Sequence, residues 1–147
     1  MHWDHILEID TPPEALWALT LDVEALPTIS PTTMSHVVRL DPGELRPGSR
    51  VRIKQPKQAA RVWTVTEADP PSRFVWETRV GRARMVATHV IEPVGEGSRN
   101  TLRLDLTGTG AGLLGRLLGG TFAKVLATEN AGFKRVAEAA GAPGRSA

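Results

Sequence analysis

The strongest constraint on the fold is an alternation of apolar and polar residues, with a period of two, between residues 33 and 107. This period is typical of β-strands that have one buried face and one solvated face. Clusters of glycine, proline and other turn-forming residues divide the segment into shorter pieces. The pattern predicts six strands, at residues 33–40, 50–55, 60–68, 73–80, 83–92 and 100–107.

The residues before this segment predict a seventh strand and two short helices. Residues 2–10 have the composition of a strand. Thr11 is followed by two prolines and by Glu14, which is the pattern of a helix N-cap with a capping box. Pro27 and Pro31 then limit the next helix to a few residues.

The residues after the segment predict one long helix, at residues 112–140. Apolar side chains recur there at steps of three and four residues, which is the pattern of a helix with one buried face. Gly141 is expected to end the helix, and residues 142–147 are expected to form a flexible tail.

Hairpin geometry predicts which strand residues share a face. If residues 69–72, 81–82 and 95–98 form the three loops, Glu67 pairs with Phe74 and His89 pairs with Leu104. One face then collects the apolar side chains, and it needs a cover, for which the long helix is the candidate. The face contains Trp63, Val65, Phe74, Trp76, Met85, Ala87, Ile91, Leu102, Leu104 and Leu106.

Two titratable residues also fall on this apolar face. Glu67 and His89 lie on either side of Phe74 in the predicted register, and they could act as a general base and a proton donor. In the alternative interpretation, His89 bonds a backbone carbonyl and Glu67 reaches solvent from the end of its strand.

Four further polar residues are candidates for ligand contacts. Arg61 shares the parity of Trp63, so it either meets a carboxylate at the edge of the apolar face or extends into solvent. Thr78 could orient a ligand through its hydroxyl group. Glu129 and Asn130 lie near the apolar stripe of the long helix, and they face either the sheet or the flank of the helix.

The composition argues against several classes of site. There is no cysteine, which removes disulfides, thiol nucleophiles and cysteine zinc sites. His2, Asp4 and His5 are close in sequence but alternate between strand faces, so no metal site is predicted. The run GAGLLG, residues 110–115, matches a dinucleotide-binding pattern, but no parallel strand follows it, so no cofactor is predicted.

The charge pattern and hydropathy predict a protein that works in the cytoplasm without nucleic acid. The basic residues alternate along the strands and do not form a patch, which argues against a nucleic-acid partner. No apolar run reaches the length of a membrane-spanning helix, and no signal-peptide pattern begins the chain. A homodimer through the outer face of the sheet is left open.

Three phrases resemble the START-like, helix-grip superfamily (SRPBCC), and in particular its polyketide cyclase/dehydrase-like group. They are EIDTPPEALWALTLDVEALP, VWTVTEADPPSRFVWE and ENAGFKRVAEAAG. The resemblance implies an α+β fold in which a curved, antiparallel, seven-stranded sheet wraps around the long C-terminal helix, with two short helices after the first strand. It covers residues 1–141, which are expected to form a single domain.

The resemblance also implies an internal cavity between the sheet and the long helix. The expected function is binding, and with it transport, of a hydrophobic small molecule such as a lipid, a polyketide or an aromatic metabolite. The alternatives are a cyclase or dehydratase that uses the same cavity, for which the missing tyrosine removes a common acid, and a protein-interaction module. Six glycines between residues 108 and 120 are expected to form a flexible gate. The residues expected to contact the ligand are Trp17, Arg61, Trp63, Val65, Phe74, Trp76, Thr78, Met85, Ala87, Leu104, Phe122, Glu129 and Asn130.

Overall fold

A computed structural model describes residues 1–141, and the tail predicted at residues 142–147 lies outside this range. The seven strands are β1 His2–Ile9, β2 His36–Arg39, β3 Arg50–Lys54, β4 Arg61–Asp69, β5 Arg73–Val80, β6 Ala83–Val94 and β7 Gly97–Gly108. The helices are α1 Pro13–Leu21, a 3₁₀ turn Val23–Ala25, α2 Leu26–Ile29 and α3 Ala111–Ala140.

All seven strands form one sheet, in the order β1-β7-β6-β5-β4-β3-β2. Every neighbouring pair is antiparallel, and β1 closes against β7 instead of against its sequence neighbour β2. The long helix α3 and the short helices lie on the apolar face. The predicted α+β class, with a curved seven-stranded sheet around a C-terminal helix, is confirmed.

The capping box predicted at Thr11 is wrong. Pro12 occupies the N-cap position of α1, and no side chain caps the helix. Thr11 is buried instead, and its carbonyl oxygen accepts a hydrogen bond of 2.7 Å from the Ser98 hydroxyl group. The helix starts one residue later than predicted, and Thr11 joins the end of β1 to β7.

The predicted β5–β6 register is confirmed, whereas the β6–β7 register differs by two residues. Trp76 pairs with Ala87 across the two-residue turn at residues 81–82. The next loop has two residues where four were predicted, so His89 pairs with Leu102 and not with Leu104. A shift of two residues keeps every side chain on its predicted face, because side chains alternate with a period of two.

The predicted inward orientation of Glu67 is wrong. Val65 pairs with Trp76 as expected, but a β-bulge follows, and Glu67 pairs with Val75 instead of Phe74. The extra residue of a bulge moves the following side chains to the opposite face. The Glu67 carboxylate accepts a 3.0 Å hydrogen bond from the Arg73 guanidinium, and about half of its side chain is exposed (47%).

A buried amide network fastens the C-terminal half of α3 to the sheet. The Asn130 side-chain amide donates to the carbonyl oxygens of His5, in β1, and Asn100, in β7, each at 3.1 Å. The Asn100 side-chain amide in turn donates to Asn130 Oδ1 at 2.9 Å. Both asparagines are fully buried, and a buried network of this kind defines the position of the helix closely.

Glycines let α3 approach its neighbours closely. A methyl group on Gly132 would collide with the backbone carbonyl of Ile29, at the end of α2. Gly115 and Gly119 lie against the indole of Trp3, which also packs edge-on against Phe122 at 5.1 Å. These two glycines therefore serve packing, which differs from the flexible gate predicted for the run.

Substituting Gly132 by alanine is expected to destabilise the protein by about 1–3 kcal/mol, because the methyl group overlaps backbone atoms that have no rotamer to escape into. Gly120→Ala is the matched control, since a methyl group there meets open space on the same helix. It is expected to stabilise the protein by up to about 1 kcal/mol through helix propensity. Urea unfolding of both variants measures the difference, and equal effects would contradict the close α2–α3 contact.

Candidate functional site

A cavity of about 170 Å³ lies between the inner face of the sheet and the first two-thirds of α3. Its sheet wall is built by inward-facing residues of β3 to β7, because alternate side chains of these strands point toward the helix. The apolar residues of the sheet wall are Ile53, Trp63, Trp76, Val80, Met85, Ala87, Leu102 and Leu104. The apolar residues of the helix wall are Leu114, Leu118, Phe122, Val125 and Leu126.

The two central indoles belong partly to the core and partly to this cavity. The rings of Trp63 and Trp76 lie 5.6 Å apart, and both line the cavity. Phe74 supports Trp76 from behind at 5.2 Å, and Phe74 itself is almost fully buried (1% exposed). The tryptophans thus form a wall that packs on one side and leaves space on the other.

The structure brings many of the predicted ligand contacts to the cavity. These residues are Arg61, Trp63, Trp76, Met85, Ala87, Leu104, Phe122 and Glu129, and the candidate catalytic residue His89 also lines the cavity. Their common feature is a strand or helix position whose face could be deduced from periodicity.

Other predicted contacts lie elsewhere. Val65, Phe74 and Trp17 belong to the packed core. The Thr78 hydroxyl group donates to the carbonyl oxygen of Val62 at 2.8 Å, and Asn130 is used by the amide network. Glu67 lies on the outer face with Arg73, so it does not meet His89 across the cavity.

The predicted contacts lacked some strand and α3 positions that line the cavity, such as Val80, and all the lining residues that come from less regular segments. Leu26 begins α2 and Met34 follows it, while Gln55 and Gln58 lie in the β3–β4 loop. Periodicity carries no information on such segments, because tertiary packing alone decides where they lie. The one signal available was polarity, since two glutamines follow closely after the alternating strand pattern VRIK.

His89 is buried in an aromatic environment and carries no charge near neutral pH. Its ring packs edge-on against Phe74 at 5.8 Å and Phe133 at 5.9 Å. Desolvation lowers its pKa to about 4, because the charged imidazolium has lost its water. Within residues 1–141, Nδ1 has no hydrogen-bond partner, so the backbone-carbonyl partner considered for this histidine is not found at that atom.

Glu129 is the acidic residue that lines the cavity. Only 8% of the residue is exposed, and its carboxylate accepts one long hydrogen bond, of 3.5 Å, from the Thr33 hydroxyl group. Desolvation raises its pKa to about 7, since the single bond does not replace the lost hydration. An uncharged acid and an uncharged imidazole therefore share one apolar cavity at pH values between about 4 and 7.

Two other kinds of feature are absent from the part of the chain that the structure describes. Residues 1–141 hold no group of three or more His, Asp or Glu side chains placed to bind a metal ion. None of the helices in this range combines the length and the hydropathy needed to cross a membrane.

Comparison with known proteins links the chain to one family. The model of a family described as polyketide cyclase/dehydrase and lipid transport matches residues 6–138. A search of curated proteins found none with significant similarity to the chain.

Solved structures share the fold at low sequence identity. TTHA0849 from Thermus thermophilus is 22% identical, with a TM-score of 0.78 over 97% of this chain and 100% of that one. The hypothetical protein jhp0584 from Helicobacter pylori is 9% identical, with a TM-score of 0.79 over 93% and 88% of the two chains. BexL, a di-domain ARO/CYC protein of the BE-7585A biosynthetic pathway, is 20% identical, with a TM-score of 0.69 over 88% of this chain and 45% of BexL.

Substituting Glu129 or His89 is expected to reveal two opposite pH dependences of stability. The raised pKa of Glu129 makes its contribution to stability fall as pH rises from about 4.5 to about 7. The lowered pKa of His89 makes its contribution fall as pH drops from 6.5 to about 4. Between pH 4.5 and 6.5 the two slopes oppose each other in the wild-type protein.

The free energy of unfolding, relative to wild type, should therefore rise with pH in Glu129→Gln and fall with pH in His89→Leu. Each slope should reach at most about 1.4 kcal/mol per pH unit, the value for one proton. Urea unfolding at several pH values from 4.5 to 6.5 measures both. Curves that stay parallel to the wild-type curve would show that the two side chains are hydrated in solution.

Proposed function

Because the chain belongs to the polyketide cyclase/dehydrase and lipid transport family, a START-like group, we propose that it binds a hydrophobic small molecule in the cavity between the sheet and α3. The observation that carries the proposal is the cavity itself, which has an indole wall on one side and a leucine and phenylalanine wall on the other. Sites for small molecules are usually concave, mostly apolar and equipped with a few polar groups. The proposed ligand classes are lipids, polyketides and aromatic metabolites.

The volume of the cavity limits the ligand that it holds as it stands. An apolar cavity of about 150 Å³ is enough for one benzene molecule. The present cavity, of about 170 Å³, therefore fits a single aromatic ring or a short alkyl chain. A larger ligand must extend out of the cavity or displace part of α3 between Leu114 and Phe122.

A cyclase or dehydratase is the second candidate function, and the two uncharged polar groups in the cavity favour it. A protonated carboxyl group at Glu129 can donate a proton, and a neutral imidazole at His89 can accept one. Enolisation of a ketone and loss of water both need such a pair. Glu129 thereby replaces Glu67 as the partner of His89, and the two groups exchange the roles that the sequence had suggested.

Filling the cavity is expected to abolish ligand binding. Ala87→Trp places an indole in the cavity, whereas Val86→Trp places one on the opposite face of the same strand. Native mass spectrometry of the protein purified from its own host should show a bound small molecule in the wild type and in the Val86 variant, but not in the Ala87 variant. Equal ligand content in all three proteins would place the binding site elsewhere.

The enzymatic candidate predicts catalysed exchange of ketone protons. In deuterium oxide, the wild-type protein should accelerate deuterium incorporation next to the carbonyl group of 4-phenylbutan-2-one, as followed by NMR. Glu129→Gln and His89→Leu should each lose this acceleration while remaining folded by circular dichroism. Exchange at the buffer rate in the wild-type protein, with the ketone bound, would leave a binding protein without this chemistry.

A further inference from the structure

Three of the segments that line the cavity carry basic residues but no acidic ones. Residues 46–66, which include β3 and most of β4, contain six lysines and arginines and no Asp or Glu. Residues 78–91 and 106–128 likewise contain no Asp or Glu, and each of them contains basic residues. Glu129 is the first acid after the last of these segments, and its raised pKa keeps it uncharged below about 7.

Arg61 differs from the ion-paired arginines on the outer face of the sheet. Two of these, Arg73 and Arg84, pair with carboxylates of neighbouring strands. Arg61 pairs with the inward-facing Ile53, and it lines the cavity. Among residues 1–141, no carboxylate forms an ion pair with Arg61.

The contact that Arg61 does make is to a neutral group. Its guanidinium donates a 2.6 Å hydrogen bond to the side-chain oxygen of Gln58, in the β3–β4 loop. A guanidinium has five N–H donors, so this bond leaves donors available for an anion. Gln55 and Gln58 also line the cavity on this side, and their amides can donate to the same group.

We propose that the ligand is an apolar molecule with one carboxylate, whose apolar body lies between the indoles and α3 and whose carboxylate binds Arg61. The inference rests on the proposed binding function and adds the chemical class of the ligand. The guanidinium matches a carboxylate in shape and charge, because two parallel N–H groups can meet its two oxygens. A cationic ligand would instead meet Arg61 at one end of the cavity without an ionised acid to balance it.

The test compares probes that share an apolar body and differ only in their polar end. The probes are 3-phenylpropionate with 3-phenylpropan-1-ol, and decanoate with decan-1-ol. Quenching of tryptophan fluorescence reports binding, since Trp63 and Trp76 line the cavity. We expect each acid to bind about tenfold more tightly than its alcohol, which is the size of one charge-assisted hydrogen bond.

Arg61→Gln should remove the preference for the acid and leave the affinity for the alcohol unchanged. Arg52→Gln is the matched control, because Arg52 lies one strand away on the outer face and the substitution changes the net charge equally. Arg61→Lys, which keeps the charge, should retain part of the preference. If Arg61→Gln does not fold, the partly retained preference of Arg61→Lys tests the proposal in its place.

The outcomes separate this inference from the proposed function. Acid and alcohol that bind equally to the wild-type protein, or equal effects of Arg61→Gln and Arg52→Gln, would overturn the role of Arg61 while leaving the cavity as a binding site. Binding that Ala87→Trp does not weaken, or no binding of any probe, would overturn the proposed function as well.

Discussion

The structure depends on how one long helix covers the continuous apolar face of the curved sheet. The helix is attached to the sheet in two places and does not fill the space between them. The helix is fastened at its C-terminal half, where Asn130 bonds two strands and Gly132 lies against the backbone of Ile29. Its N-terminal half is supported mainly at one edge, where Trp3 packs on Gly115 and Gly119. The space between these supports stays open, and the cavity is therefore a consequence of how the helix is attached.

The fold could be predicted from the sequence because antiparallel strands encode their faces locally. An error of two residues in the β6–β7 register had no consequence for orientation, so Ala87 and His89 still pointed inward. The β4–β5 hairpin shows the limit of the same reasoning. A bulge adds a single residue, which reverses the face on which the following side chains lie. No sequence pattern between Val65 and Glu67 predicts this bulge.

The candidate site was predictable only in part, for a related reason. Strand and helix positions such as Trp63 and Phe122 follow a period, whereas Met34 and Gln58 come from segments without one. Helix periodicity placed Glu129 and Asn130 near the apolar stripe but left open which way they face, and it could not distinguish their roles. That distinction depends on partners 30 or more residues away, since Asn130 meets Asn100 and Glu129 meets Thr33.

The polar groups of the cavity differ in how burial affects their charge. Glu129 and His89 are buried without strong partners, so desolvation removes their charges and leaves a neutral donor and a neutral acceptor. Arg61, in contrast, is partly exposed and carries a guanidinium cation. The cavity thus has an uncharged interior with the Arg61 cation beside it. A molecule with one apolar end and one anionic end fits this arrangement in a single orientation.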